Sequence, residues 1–351
     1  MSFSNRFFLF GPFSLFVVLA AGVMIYWWVA ATALSKNLDA LNGREIAPGV
    51  HLHFAAKRIG GFPFRLDTTF EDFALSAEGA HGPVVWHTNA FASHRLTYAS
   101  DVTIFEATGP QDIAWTGESG RPRSFRFTPG ALRASAVVAD AKLERFDLDA
   151  ISFVSAKFAA GRAQFHLRRD PVYDALDLVV DLQSVRFAGD AAAGFAHGLA
   201  HARIEGRLAP AQPFAALLAG KAELMDALDT WRDRQGGFKV DEAAAFWGKC
   251  QATSAGAVTL DDAHRLAGSL AFSLLNCDAL DREAAGITVP PRAHRAIVSV
   301  LAGIAAKEPA DKSGALPVTV VFKDGLVFVG PGKALGTPYT FEPVGFLHAL
   351  Y

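Results

Sequence analysis

Apolar and polar residues alternate with a period of two along most of the chain after residue 50, which is typical of β-strands with one buried face and one face in water. Near the C-terminus, Asp324-Gly325 favours a tight type I′ turn between two such runs, and another hairpin joins a run ending at Leu260 to one beginning near Leu266. The sequence therefore predicts a mainly β fold of the α+β class, built on a long, curved antiparallel sheet. The clearest alternating runs are 50–55, 64–71, 162–168, 176–182 and 201–208.

Helical periodicity is confined to a few segments. Apolar residues between Phe214 and Trp231 form one stripe, and Gly236-Gly237 is a signal for the end of that helix. A second helix is predicted over 292–307, with Pro290-Pro291 at its start, after a short helical turn over 278–285. Helices are therefore expected to form a minority of the fold.

The N-terminal segment 7–34 contains no charged residue, and Arg6 and Lys36 flank it. About 20 apolar residues cross the hydrocarbon core of a bilayer as a helix, so this segment is long enough to span a membrane. We therefore expect residues 1–36 to form a single-pass anchor. Aromatic rings favour the membrane interface, and three of them lie near the end of the segment: Tyr26, Trp27 and Trp28.

The small residues Ala31-Thr32-Ala33 also fit the cleavage site of a secretory signal peptide. Signal peptides have an apolar region of only about 7–15 residues after a basic start, whereas this segment is far longer and offers only Arg6. An uncleaved anchor in a bacterial inner membrane, with its N-terminus inside, is the favoured interpretation. The β-rich domain, 37–351, then lies in the periplasm, and a helical and hairpin C-terminal half begins near residue 210.

The composition favours a large folded body and argues against one class of partner. Of the 351 residues, 51% are hydrophobic and 19% are charged, and the formal net charge is -2. Proteins that bind nucleic acid usually present a clustered basic face, and this charge balance gives no reason to expect one. We therefore expect no nucleic-acid partner.

The motifs that suggest chemistry have simpler explanations. His51 and His53 share one strand face at metal-ligand spacing, but no third ligand accompanies them locally. His197 and His201 are four residues apart, but the glutamate of a zinc-protease motif is missing. In Gly330-Pro331-Gly332-Lys333 the lysine is followed by alanine, whereas a phosphate-binding loop requires Ser or Thr there. We therefore predict no catalytic residue, no metal site, no cofactor and no enzymatic activity.

The phenylalanines point to an apolar surface. There are 29 of them, and few amphipathic helices are predicted to cover the sheet face that they form. The sheet either closes on itself as a sandwich or barrel, or leaves part of that face to hold an apolar ligand. Beside a membrane, such a ligand would be lipid. The residues expected to line this face are Phe64, Leu66, Phe70, Phe165 and Leu167.

The two cysteines, Cys250 and Cys277, flank one predicted hairpin and form a candidate disulfide, which would persist in an oxidising compartment. With Ala263-His264 as a two-residue turn, the cysteines lie directly opposite each other. Pairing the apolar residues Leu260 and Leu266 instead shifts the register by one residue and turns the cysteines to opposite faces. A bulge would then be needed to form the bond. The sequence alone does not decide between these two strand registers.

Three stretches resemble a bacterial family: Gly61-Phe62-Pro63-Phe64-Arg65, Gly236-Gly237 through Trp247-Gly248, and Asp324-Gly325 through Gly330-Pro331. The family is domain-of-unknown-function family 2125, and the resemblance covers nearly the whole chain in the family's order. None of these motifs is catalytic. The resemblance implies a single-pass envelope protein with long antiparallel sheets similar to those of the AsmA-like proteins that handle phospholipid. It implies nothing about a disulfide.

These observations support two hypotheses for the function. In the first, an inner-membrane-anchored periplasmic protein binds lipid or another acyl-bearing ligand on its apolar sheet face and contributes to envelope homeostasis. Binding would be passive, because apolar burial alone stabilises acyl chains in a groove. In the alternative, the sheet is closed and dry, and the protein is a non-enzymatic scaffold for other envelope proteins.

Overall fold

The structure is a computed structural model that describes residues 5–79, 82–98, 101–117, 120–140, 142–188, 198–219, 222–277, 314–331 and 337–339. These residues contain helices α1 (Asn5–Leu41), α2 (Gln212–Leu218) and α3 (Leu224–Asp233). The first nine strands are β1 (Arg44–Ala47), β2 (Val50–His53), β3 (Ala56–Gly60), β4 (Arg65–Ala77), β5 (Val84–Leu96), β6 (Val102–Thr116), β7 (Pro122–Thr128), β8 (Ala131–Ala139) and β9 (Lys142–Ser155). The other nine are β10 (Phe158–Arg169), β11 (Leu176–Phe187), β12 (Leu199–Ala209), β13 (Gly237–Trp247), β14 (Cys250–Leu260), β15 (Leu266–Leu275), β16 (Leu316–Lys323), β17 (Leu326–Pro331) and β18 (Thr337–Tyr339).

All of these strands belong to one antiparallel sheet. Each strand from β8 to β18 pairs with the next along the chain. Two strands nearer the N-terminus are split: β2 and β3 lie along the same partner, β4, and β7 and β8 both lie between β6 and β9. The sequence prediction of an apolar N-terminal helix followed by a long antiparallel sheet is therefore confirmed.

The strand pairings separate an apolar face of the sheet from a polar face, because directly paired residues point to the same side. The apolar face of β9 to β12 carries Leu148, Phe165, Val180 and Ile204, which are paired in succession. The polar face of the same strands carries Asp149, Gln164, Asp181 and Arg203, also paired in succession. These residues reproduce the alternation seen in the sequence.

Three left-handed residues inside strands keep apolar side chains on the apolar face. Asp72, Ser152 and Ser184 have left-handed backbones with φ of 53°, 52° and 54° inside their strands. Such a residue interrupts the alternation, so that residues on either side of it, three positions apart, share a face. Phe70 and Phe73 flank Asp72 in this way, and their ring centroids are 5.5 Å apart.

The buried core consists of three clusters against the apolar face. The phenylalanine cluster contains Phe127, Ala150, Phe153, Ala160 and Val185. The helix cluster contains Leu176, Ala211, Phe214, Ala227 and Trp231, and α2 and α3 supply the last three. The anchor cluster contains Leu52, Phe54, Phe70 and Phe73, against which Leu38 of α1 packs.

One helix predicted from the sequence is two helices in the structure. The apolar stripe from Phe214 to Trp231 is divided between α2, which ends at Leu218, and α3, which begins at Leu224. Gly220 follows the first helix in the sequence, and glycine just after a helix favours its termination. Both helices still contribute to the helix cluster. The helix predicted over 292–307 and the turn over 278–285 lie outside the described residues.

The sheet continues past residue 210, where the sequence suggests a sub-boundary. Strand β12 ends at Ala209 and β13 begins at Gly237, and the two strands pair along their length from His201↔Phe246 to Ala209↔Gly237. Helices α2 and α3 are inserted between them in the chain. Residues on both sides of this point therefore belong to the same sheet.

Candidate functional site

A continuous row of paired residues crosses the middle of the apolar face. It passes through fourteen strands, from β3 to β17, and at about 4.8 Å per strand it is about 60 Å long. The row contains apolar residues and three small hydroxyl residues, and it contains no charge. Its members are Ile59, Thr68, Ser93, Phe105, Ala134, Leu148, Phe165, Val180, Ile204, Ala243, Ser254, Phe272, Val318 and Pro331. We call this set the apolar row.

The centre of the apolar row is accessible between two buried clusters. Leu148, Phe165 and Val180 are partly exposed, and Ile204 is 45% exposed. The phenylalanine cluster lies toward one edge of the sheet and the helix cluster toward the other, since Leu182 packs against the former and Leu178 and Leu208 against the latter. The described part of the fold therefore leaves an apolar strip between two dry regions.

Ion pairs join many of the charged residues on the polar face. Asp181 is 6% exposed, accepts a hydrogen bond from Gln183 at 2.9 Å, lies 2.7 Å from His201 Nε2, and has Arg203 at 3.6 Å. Other histidine–aspartate contacts of 2.6–2.8 Å on this face join His87 to Asp72, His94 to Asp67 and His166 to Asp147. Paired charges of this kind are expected on a solvated sheet face.

The pKa shifts on this face favour the charged forms. Burial opposes ionisation of Asp181, but hydrogen bonds from His201 and Gln183 outweigh it and hold the pKa of that carboxyl below its ordinary value. A hydrogen bond from Arg126 lowers the pKa of Asp112 in the same way. A general acid or base needs a pKa near the operating pH, so these shifts stabilise ion pairs and do not prepare a group for proton transfer.

In the described part of the structure, the motifs that suggested chemistry are not joined by further metal-ligating side chains. His51 and His53 lie exposed on β2, and the described residues contain no group of three or more His, Cys, Asp or Glu side chains arranged to hold a metal. His201 is paired with Asp181 and stacked on Phe246, with ring centroids 6.1 Å apart. His197, Gly332 and Lys333 lie outside the described residues.

A buried polar group on the apolar face is also satisfied within the chain. Gln111 is fully buried, donates to Thr88 Oγ1 at 2.9 Å and accepts from Trp86 Nε1 at 3.0 Å. Buried polar side chains without partners would indicate a missing ligand, whereas this one has partners for both its oxygen and its nitrogen. In the apolar row itself, the buried Oγ of Ser254 has no hydrogen-bond partner among the described residues. Apolar contact defines the rest of the row.

The residues predicted to line the apolar face occupy three different environments. Phe165 and Leu167 are neighbours on the apolar face of β10, with Phe165 in the apolar row and Leu167 against the helix cluster. Leu66 is on the apolar face of β4, but Phe70 of the same strand is only 5% exposed and belongs to the anchor cluster. Phe64 precedes β4 and is 60% exposed. The structure therefore brings together Phe165 and Leu167 and separates the other three from them.

Sequence reasoning missed Leu148, Val180 and Ile204 as neighbours of Phe165. Val180 and Ile204 stand in runs whose alternation is clear, so the face they share was predictable in principle. Their positions across the sheet depend on strand pairing, which a single sequence does not reveal.

The cysteines form a disulfide across β14 and β15, with a Cα–Cα distance of 4.4 Å. The strands adopt the apolar register, in which Leu260 pairs with Leu266 and Gln251 with Leu275. This register places Cys250 opposite Asn276, whose backbone is left-handed with φ of 55°. The irregularity at Asn276 turns Cys277 toward Cys250, so the apolar register and the disulfide coexist.

The C-terminal half of α1 is attached to the sheet. Trp27 Nε1 donates to the carbonyl oxygen of Arg65 at 2.7 Å, and the Tyr26 hydroxyl donates to the carbonyl oxygen of Thr97 at 3.1 Å. Further along the helix, Asp39 forms an ion pair with Lys57. Two of the predicted interface residues therefore join the helix to the body, whereas Trp28 is exposed.

Helix α1 is also long and apolar enough to cross a membrane. Within the span from Phe10 to Leu41, the most apolar 18 residues have a mean hydropathy of 2.1 and are not buried in the fold. A signal sequence near an N-terminus has the same general properties. Length and composition therefore establish a candidate membrane segment.

Comparisons with known proteins identify one relationship. No curated protein and no solved structure matches the chain. A family model matches residues 27–338, from Trp27 in α1 to Pro338 in β18. The match includes the C-terminal part of α1 and the sheet that carries the apolar row. The chain therefore belongs to DUF2125, a family described as an uncharacterized protein conserved in bacteria.

Proposed function

We propose that this protein is held in the bacterial inner membrane by α1 and binds the acyl chains of a lipid on the apolar row, in the periplasm. The observation that carries the proposal is the exposed centre of that row, where Ile204 is 45% exposed between two buried clusters. Apolar side chains that are exposed together on a protein surface mark an interaction site when they form a large enough patch. We propose no enzymatic step and no cofactor.

The contacts of α1 support its retention as an anchor. A cut after Ala33 would remove Tyr26 and Trp27, which are hydrogen-bonded to the body. The family match also begins at Trp27, before this cleavage site. A segment that is discarded from the mature protein has no reason to be built into the fold.

The position of the aromatic residues fits the thickness of a bilayer. Residues 7–26 are 20 residues, and at about 1.5 Å per residue they span about 30 Å, the thickness of the hydrocarbon core. Trp27 and Trp28 then lie at the membrane interface, and the rest of α1 belongs to the body.

Acyl-chain binding on the apolar row requires only apolar burial. Each CH₂ group that leaves water for an apolar surface contributes about 0.8 kcal/mol. Ordering the chain offsets part of this gain, and the contacts come from the accessible centre of the row, at Phe165, Val180 and Ile204. A lipid bound in this way would be held without a specific polar site along the row. The alternative, a dry scaffold that binds only protein, requires that the row be covered.

The test is the lipid content of the purified full-length protein. The protein is extracted from membranes in mild detergent, and bound lipid is measured by organic extraction and mass spectrometry. Ile204→Asp places a charge in the row, and Val154→Asp is the matched control because Val154 is 55% exposed on the polar face of β9. Both variants keep the same anchor, so lipid associated with α1 cancels in the comparison.

We expect Ile204→Asp to fold and to lose most of the lipid that the native protein and Val154→Asp retain. Equal lipid in all three proteins would refute the acyl-binding row. Unfolding of Ile204→Asp alone would favour the dry scaffold, because a buried charge without a partner is strongly destabilising. The intact mass of the native sample tests the anchor, since a chain that begins at Leu34 would show that α1 is cleaved. A reporter fused after Tyr351 tests the location, and it should be active only in the periplasm.

A further inference from the structure

The C-terminal half of helix α1 runs along strand β4 in the same direction. Trp27 Nε1 donates to the carbonyl oxygen of Arg65, which is the first residue of β4. Twelve residues further along the helix, Asp39 forms an ion pair with Lys57, which is paired with Phe70 of β4. Twelve helical residues span about 18 Å, and the five strand residues from Arg65 to Phe70 span about 17 Å. Strand β4 therefore begins on the side of the body from which α1 enters.

Two loops lie on that side of the body. One contains residues 61–64 and precedes β4, and the other begins at Thr97, directly after β5. They are bonded to each other, because the backbone nitrogen and the hydroxyl of Thr97 both donate to the carbonyl oxygen of Phe64, at 3.0 and 3.1 Å. The Tyr26 hydroxyl donates in turn to the carbonyl oxygen of Thr97. Helix α1 and the two loops are therefore one connected unit.

The side chains at the tips of these loops are aromatic and exposed. Phe62 and Phe64 are 52% and 60% exposed, and Tyr98 is 73% exposed. Residues 61–64 and 96–98 contain no charge. The charged residues that come next in the chain, at the edge of this surface, are Arg65, Arg95 and Asp101. The loops therefore present apolar rings with charges around them.

The same apolar surface continues onto the polar face of the sheet. Leu96 ends β5, Val102 begins β6, and Ile104 is paired with His94. The three apolar side chains are 37%, 41% and 44% exposed, and they line one cavity of about 440 Å³. Further from this end, the polar face carries the ion pairs described above. We call Phe62, Phe64, Leu96, Tyr98, Val102 and Ile104 the loop surface.

The length of the membrane segment sets the depth of the loop surface. If residues 7–26 fill the hydrocarbon core, Trp27 lies at the membrane interface. The Phe62 ring contacts the Trp27 ring edge-on, with centroids 5.6 Å apart, so it lies at nearly the same depth. Aromatic side chains favour this layer, where their apolar parts leave water. This step rests on the anchor in the proposed function and is independent of the acyl-binding row.

We propose that the loop surface enters the interface of the membrane that α1 crosses. The rings of Phe62, Phe64 and Tyr98 lie among the headgroups and the first carbons of the acyl chains. The partner is the lipid surface itself, and the contact requires no particular headgroup because these side chains carry no charge. The body is thereby held by a second contact, with β4 leading away from the bilayer, and does not turn freely on a single helix.

The test places the photoreactive residue benzoylphenylalanine at one position at a time in the full-length protein. The variants are studied in nanodiscs of phosphatidylcholine, with and without phosphatidylglycerol, and lipid adducts are detected as added lipid mass on the intact protein. The test positions are Leu96 and Tyr98. Val84 is the matched control, because it is 39% exposed, as against 37% for Leu96, and lies at the other end of β5, about 40 Å away. Phe16, which is 67% exposed in the membrane segment, reports the anchor.

We expect lipid adducts at Phe16, Leu96 and Tyr98, and loss of the adduct at Val84. The yields at Leu96 and Tyr98 should be the same in both lipid compositions, because no charged group mediates the contact. Each of these residues is exposed or at the edge of the fold, so tryptophan fluorescence should match that of the native protein in every variant.

Three results would overturn the inference. Adducts at Phe16 without any at Leu96 and Tyr98 would show that the body stands clear of the bilayer, and the anchor would remain. Equal yields at Leu96 and Val84 would show that the loop surface is not the part that meets the membrane. Adducts at Leu96 and Tyr98 that form only with phosphatidylglycerol would show recognition of an anionic headgroup in place of apolar entry. Absence of adducts at Phe16 as well would instead remove the anchor, which is the failure of the proposed function.

Discussion

Replacing Phe70 by alanine tests whether this residue lies in the core or on a ligand-binding surface. Phe70 is 5% exposed, and the rings of Phe54, Phe73 and Phe91 lie 5.1, 5.5 and 5.9 Å from it, centroid to centroid. A buried phenylalanine removes at least about 150 Å² from water, which corresponds to about 4 kcal/mol at 25 cal/mol per Å². The alanine methyl group retains a small part of this stabilisation, and the cavity left by the ring adds to the loss of stability. We expect Phe70→Ala to lower the free energy of unfolding by about 3–5 kcal/mol.

The measurement is urea unfolding of the full chain in mild detergent, monitored by tryptophan fluorescence. Phe64→Ala is the control, because Phe64 is 60% exposed and its truncation should cost less than about 1 kcal/mol. Folded Phe70→Ala should carry as much lipid per protein as the native chain, since the residue does not belong to the apolar row. A cost below about 1 kcal/mol together with loss of lipid would refute this reasoning and make Phe70 part of the binding face.

Further predictions concern the polar face and the disulfide. Asp181→Asn should lower the free energy of unfolding by about 1.5–3 kcal/mol at neutral pH, because it removes a charged acceptor from His201 and Gln183. Since the pKa of Asp181 is lowered in the folded state, its contribution is present above the ordinary carboxyl pKa and is lost as the pH falls through the lowered value, so native and variant unfolding curves should converge in acid. Thiol labelling of the unfolded, unreduced protein should find no free thiol, and two reactive thiols would contradict the Cys250–Cys277 bond. Replacing both cysteines by serine should cost about 3–4 kcal/mol in the chain-entropy treatment, since the bond joins residues 27 apart.

The faces of the strands were readable from the sequence because side chains alternate with a fixed period of two. The turn at Asp324-Gly325 was readable for a similarly local reason: both residues have positive φ, 52° and 74°, as a type I′ turn requires. The apolar N-terminal helix was readable from length and composition alone. Each of these features depends on residues that are close together in the chain.

The features that the sequence left open depend on contacts between distant residues. Phe70 looked like a member of a ligand face because its alternation matches that of Phe165, and only the packing of Leu38 and Phe91 shows that it is in a core. The disulfide depended on an irregularity at Asn276 that no turn rule predicts.

The order of the strands bears on how such a long sheet assembles. From β8 onward each strand pairs with the one just made, so no strand has to wait for a distant partner. A chain made from its N-terminus presents its strands in that same order. Short sequence separation between partners speeds folding and limits the time for which an unpaired edge is exposed. The sheet can therefore grow one strand at a time while the rest of the chain is still being made.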